Sequence, residues 1–167
     1  MSVSVSVRSY THSVTFVTDN ILKSLKDVIR LSDLDPQQFV SSWEVLHSGI
    51  SRWIESGHLE RISLEVYDPT SDRLLGRWDV EISHAYSADD GEFWVDTDAI
   101  RFAIRKAGVL PGNAKYDVKV TRKPGYPAVA GWVSCSFRST EGFVQQRIGT
   151  TINGSGLTGG VSYLRKA

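Results

Sequence analysis

Gly154, Gly156 and Gly159 in the stretch GSGLTGG satisfy G-x-G-x-x-G, the spacing of a turn that brings backbone close to a pyrophosphate. Such a turn must follow a strand and open a helix whose N-terminus carries the phosphate charge, with an acidic residue about 20 positions on for the ribose. Only VSYLRKA follows here. The helix and the acid have no room, so the glycines predict a flexible loop instead. The remaining reactive side chains are equally unpromising. His12, His47, His58 and His84 include no pair at metal-ligand spacing. Asp89, Asp90 and Glu92 surround Gly91 without the order of a calcium loop. Cys135 lies between serines in a strand-like run and reads as a small buried residue. No G-x-S-x-G, H-E-x-x-H or P-loop pattern occurs. The residues therefore predict no catalytic site, no metal and no cofactor. One enzyme hypothesis stays testable: a cleft holding His47 or His84 near a carboxylate.

Composition and periodicity predict the elements that would position any site. The chain has 167 residues with 41% hydrophobic and 23% charged, which suits one globular domain. Lys plus Arg and Asp plus Glu are 19 each, so no excess of positive charge favours nucleic acid or an anionic membrane. One cysteine allows no internal disulfide, and the N-terminus lacks the basic and apolar regions of a signal peptide. No apolar run approaches the length of a membrane span. A cytoplasmic protein is the expectation.

Residues 2–10 alternate Ser and Val, either a detached strand-like arm or a frayed terminus. Val14, Val17, Ile21, Leu25 and Val28, widened by Leu22 and Ile29, mark an amphipathic helix over 11–31. Asp35, Pro36 and Gln38 open a second helix whose apolar face is Phe39, Trp43, Leu46, Ile50 and Trp53, ended by Gly57. Ile62, Leu64, Val66 and then Trp78, Val80, Ile82 alternate with polar residues around DPTSD, a hairpin with one dry and one wet face. A third helix starts near Asp96 or Thr97, buries Ile100, Ala103, Ile104 and Ala107, and stops at Gly108. Strands are predicted over 115–123 and 132–139. The first puts Lys115, Lys119 and Lys123 on a solvent side, a wet face or a protein-docking patch. Residues 143–152 have strand propensity without clean alternation, and VSYLRKA suits a last short strand. Trp94 and Trp132 flank loops, as core residues or as the lining of a groove. Segregated helices and hairpin-connected strands make this α+β.

In this order of elements the chain resembles a HORMA domain, in particular the bacterial HORMA proteins of anti-phage signalling cassettes. SYTHSVTFVTDNILKSLKDVIRL, FVSSWEVLHSGISRWIESGHLERISLEVYD and the C-terminal region carry the resemblance across nearly the whole chain. It rests on order and general character, because the family has no sharp motif. It implies three helices on a mainly antiparallel sheet, in one domain made of an N-terminal arm (1–10), a core (11–139) and a C-terminal safety belt (140–167).

The function so implied is a non-enzymatic peptide clamp. A short closure-motif peptide would add as a strand to a sheet edge, here Val133, Ser134, Cys135, Ser136, Phe137 and Arg138. The belt, including Ile152, Gly154, Gly156, Leu157, Gly159, Gly160, Val161, Tyr163 and Leu164, would close over it, its glycines letting it re-pair. At Thr140–Ala167 this belt is short by family standards. The closed form would bind and activate a cyclic-oligonucleotide synthase, a nucleotidyltransferase. An AAA+ remodelling ATPase would reopen it by engaging the arm, with Val3, Val5, Val7 and Arg8. A static interaction module of the same fold is the alternative.

Overall fold

Helix α1, Ser2–Leu31, is the longest element, and Val14, Val17, Ile21, Leu22, Leu25, Val28 and Ile29 are all buried on its inner face. The computed structural model describes residues 2–84, 93–108, 110–154 and 156–166, with the side chains of 2–10 outside that description. The acidic loop with Asp89, Asp90 and Glu92 lies outside the described residues. The Ser/Val stretch is a correction: its backbone is the first part of α1, not a strand-like arm. A strand needs a partner edge, whereas a nucleated helix extends at little cost, even with valines at about 0.7 kcal/mol each or less.

The second helix is two. α2, Gln37–Ser41, breaks at Ser42 (φ −95°, ψ 5°) before α3, Trp43–Glu55. Pro36 is the N-cap rather than the first helical residue, and the Asp35 carboxylate before it accepts from the Gln37 N–H at 3.0 Å. Gly57 ends α3 at φ +78°. α4, Thr97–Ala107, opens on Asp96, which accepts from the Ala99 N–H at 3.0 Å, and buries Ile100, Ala103 and Ile104.

The six strands are β1 Leu59–Tyr67, β2 Leu74–His84, β3 Phe93–Val95, β4 Lys115–Arg122, β5 Phe143–Gly154 and β6 Leu157–Lys166. They form one antiparallel sheet in the order β3-β5-β6-β2-β1-β4. Ile62, Leu64, Val66, Trp78 and Val80 face the helices and are buried. The opposite face is not wet as expected. Ser63, Glu65, Arg77 and Asp79 are also buried, because residues after β4 fold back over them. Lys119, expected in solvent, is 7% exposed for the same reason.

The C-terminal segment is a hairpin, with β6 paired to β2 along Arg77–His84. Two register shifts in β5, between Arg147 and Gly149 and between Thr150 and Ile152, explain why its sequence shows no clean alternation. Two of the glycines, Gly154 and Gly159, are packing residues, while a Cβ on Gly160 would meet nothing within 4 Å. A Cβ on Gly154 would meet Val17 at 2.6 Å, and one on Gly159 would meet Ile152 and Val80 at 3.3 Å. Gly156 lies between the two strands at φ +99°. The strand expected over 132–139 does not form; those residues pair with no strand.

Candidate functional site: a strap across a sheet edge

β4 ends the sheet, and among the described residues no strand pairs with its outer edge. Unpaired edges are templates for another strand, and proteins cover them. Here the cover is the chain that leaves β4. Residues 123–142 form a strap that starts against the helices, passes the edge of β4, and finishes on the far face of the sheet.

The near end is held by aromatic side chains. Trp53 donates its indole N–H to the Pro127 carbonyl at 2.7 Å, and Trp132 donates to the Val45 carbonyl at 3.0 Å. The two indoles meet edge to face with centroids 5.0 Å apart. Arg122 lies over both Trp53 and Tyr126. Trp132 fits only because α3 has a glycine beneath it: a Cβ on Gly49 would lie closer than 3.0 Å to the indole.

The far end is held by charge. Glu65 is fully buried, and Lys119 reaches it at 2.5 Å. Arg138 donates to Glu65 twice, from its side chain at 2.9 Å and from its backbone N–H at 3.0 Å. Its guanidinium also pairs with Asp117 at 3.0 Å and Asp72 at 2.9 Å, and stacks on Tyr67. Burial by itself pulls this guanidinium down, but the hydrogen bonds to Asp72, Asp117 and Glu65 and the charge of Asp117 outweigh it. Arg138 is held above its ordinary value. Phe137 lies over Arg61, Arg77 and Lys119.

Between the two ends the strap stands off. Val133 is 84% exposed, and Ser134, Cys135 and Ser136 are exposed too. A groove of about 450 Å³ separates this span from β4 and is floored by Phe39, Leu46 and Val118. That volume lies in the ~300–1,000 Å³ range of ligand pockets. Tyr116 fixes one end of the floor, donating its hydroxyl to the Asp35 carbonyl at 2.6 Å and accepting from the Phe39 N–H at 3.2 Å. Burial pushes its phenol above the ordinary value; the Phe39 N–H opposes this and the Asp35 charge adds to it.

The family model described as Bacterial HORMA domain 2 matches residues 2–167. The chain belongs to the bacterial HORMA domain family. No curated protein matches it in sequence. Among solved structures, this HORMA domain is similar to C. elegans HTP-2 bound to the HIM-3 closure motif, at a TM-score of 0.65 and 13% identity, covering 86% of this chain and 85% of that one. A chain of the mitotic checkpoint complex is similar at a TM-score of 0.65 and 11% identity, over 97% of this chain and 99% of that one. A chain of the E. coli MS115-1 CdnC:HORMA-deltaN complex is similar at a TM-score of 0.59 and 11% identity, over 94% and 89%. At such identities the structures share the fold.

Residues named from sequence fall in three places. Val133, Ser134, Cys135, Ser136, Phe137 and Arg138 are in the strap, not on the paired edge; the edge is β4. Cys135 is exposed rather than buried. Ile152, Leu157, Gly159, Gly160, Val161, Tyr163 and Leu164 are in β5 and β6, on the other side of β2 from that edge. Val3, Val5, Val7 and Arg8 lie in α1 by backbone. Sequence reading missed the groove floor and the ionic end. Gly49 in the middle of a helix and Glu65 in the middle of a strand were the available signals, since each is locally unfavourable and needs a tertiary reason.

Of the two histidines named for a possible cleft, His84 is exposed and lines a pocket with Glu60 and Glu81. His47 does meet a carboxylate, Asp19 Oδ1 at 2.9 Å, but the pair is about a third exposed on each side and does not line the groove. Ser51 donates to the His47 carbonyl, not to its ring. Among the described residues no group of three or more His, Cys, Asp or Glu could hold a metal ion, and no helix is long and apolar enough to cross a membrane.

Proposed function

We propose that this HORMA domain is a non-enzymatic peptide clamp that acts as a signalling adaptor. One observation carries the reading: the strap crosses the unpaired edge of β4, held at both ends, with a groove beneath it. A short closure-motif peptide adds to β4 as a further strand. Main-chain hydrogen bonds supply affinity and the groove supplies choice. The strap lies over the peptide, and the β5–β6 hairpin, paired to β2, holds the strap's C-terminal end. The belt is thus the strap together with the hairpin, and release requires one of its anchors to open.

The bound form docks on a cyclic-oligonucleotide synthase and activates it in anti-phage defence. The structural likeness to the HORMA chain of the CdnC complex supports the docking, and the family supports the setting. An AAA+ remodelling ATPase reopens the clamp from the N-terminal residues, Val3, Val5, Val7 and Arg8.

The test is to pan a random peptide display library against the protein and follow amide exchange with the best peptide. The clamp predicts a consensus peptide that slows exchange in both β4 and residues 131–138. No enrichment, with exchange unchanged, sinks the reading.

A static interaction module of the same fold is favoured by the packing of Gly154 and Gly159, which ties the hairpin to α1 and β2. It predicts one conformer on ion exchange, with or without peptide. Two resolvable conformers would remove it.

A further inference from the structure

The edge of β4 has two unlike sides, and a strand added to it must match both. Tyr116, Val118 and Val120 pair across to Val66, Leu64 and Ile62, which are buried core residues, so this side faces the helices. Asp117 and Lys119 pair across to Glu65 and Ser63, on the side of the ionic cluster. Successive side chains of a strand point to opposite faces. A peptide on this edge therefore alternates between the apolar groove and the charged side.

On the helix side, the wall is apolar and partly uncovered. Val45 is 40% exposed and Val133 84% exposed, facing Leu46, Val118 and Trp132 across the groove. On the other side the residues are charged. Glu65, Asp72 and Asp117 are joined through Lys119 and Arg138, and Arg61, Arg77 and Asp79 lie on the same face beside Phe137. Lys119 is buried and engaged by Glu65 and the Ser136 carbonyl, and Glu65 is fully buried. Of the carboxylates, Asp117 lines the groove, with its side chain 36% exposed. Lys115, two residues away on the same face, is exposed and lines a different pocket.

Resting on the clamp reading above, we propose that the groove selects an extended peptide in which a basic residue separates two apolar ones. The apolar residues enter the groove beside Val118 and Trp132. The basic residue between them points to the Asp117 side and pairs with that partly exposed carboxylate. Charge complementarity of this kind sets which partner is accepted more than it sets raw affinity.

The probe is a random peptide display library panned in parallel against the protein and against Asp117→Asn, which keeps the side-chain shape. The wild type should enrich Lys or Arg flanked by apolar residues. Asp117→Asn should keep the apolar positions and lose the basic preference. With the enriched peptide made synthetically, replacing its basic residue by Glu should weaken wild-type binding about fivefold, the scale of a partly exposed ion pair, and the variant's by less than about twofold. Val45→Thr, which keeps the β-branched shape, should relax the apolar choice and leave the basic one. A consensus with an acidic or indifferent central position, or a basic preference that survives in Asp117→Asn, overturns this selection rule while upholding the clamp. No enriched peptide overturns both.

Discussion

The two ends of the strap hold by different physics. At Trp132 the contact is ring on ring, with one indole hydrogen bond and a glycine that makes space. At Arg138 it is a guanidinium shared among three carboxylates, one of them fully buried. Ring packing depends on shape and is indifferent to salt. An ion pair with a buried member depends on its partner staying, because the partner left behind is an uncompensated charge. The ionic end is thus all-or-none, and the aromatic end is graded by fit. A strap with two such ends can open at one while the other keeps it in place.

Arg138→Ala should have the largest effect. It removes the guanidinium, one of the three donors seen on Glu65, and leaves it the backbone N–H of residue 138 and Lys119 as its remaining cation. The loss should be about 3 kcal/mol, the lower end for breaking a buried pair, since Lys119 stays. Denaturant unfolding gives the magnitude. Amide exchange gives the location: residues 136–142 should exchange faster while 127–132 stay protected. If both stretches speed up together, the ends are one unit and the comparison fails.

Gly49→Ala tests the other end, and its sign is the informative part. In an open helix position this change should stabilise by about 1 kcal/mol. Here the new methyl would occupy space held by the Trp132 ring, which Trp53 and the Val45 carbonyl keep in place. The expected outcome is a loss of about 1–3 kcal/mol, the usual cost of overpacking. Exchange should rise at 127–133 and not at 138. A net gain in stability would mean that the ring moves aside freely and that the aromatic end is no anchor.

These two ends were not equally legible in the sequence. Helices and the central hairpin were, because their signal is periodic and local: the inner face of α1 is buried as read. The strap was not. Residues 132–139 have strand composition, but strand identity needs a partner, and that stretch spends its polar groups on Glu65, Asp72 and Val45 instead. The wet face of the hairpin failed similarly. Alternation shows which residues share a face, not what later folds over it. The glycine run was misread because close approach to Val17 and Val80 is a tertiary fact. The edge of β4 was visible as a strand, but its place at the end of the sheet depends on β6 reaching β2 from far along the chain.

The floor of the groove offers the smallest effect, and it should touch neither anchor. Tyr116 ties β4 to α2 through the Asp35 carbonyl and the Phe39 N–H. Tyr116→Phe leaves both without that partner, at a cost of about 1 kcal/mol near neutral pH. The pH dependence separates this bond from mere packing. Burial raises the phenol above its ordinary value of 10.0. Above that pH the unfolded chain gives up the proton while the folded one keeps it, so the native state binds more protons and stability falls as pH rises. The contribution is complete below pH 10.0 and is lost as pH climbs through the folded value. The phenylalanine variant has no such proton, so the stability gap between the two proteins should narrow in alkali. Exchange at 127–133 and 136–142 should match the wild type throughout. A gap that stays constant through the alkaline range would mean that the phenol is equally ionisable in both states, and that α2 is held to this edge by its apolar contacts alone.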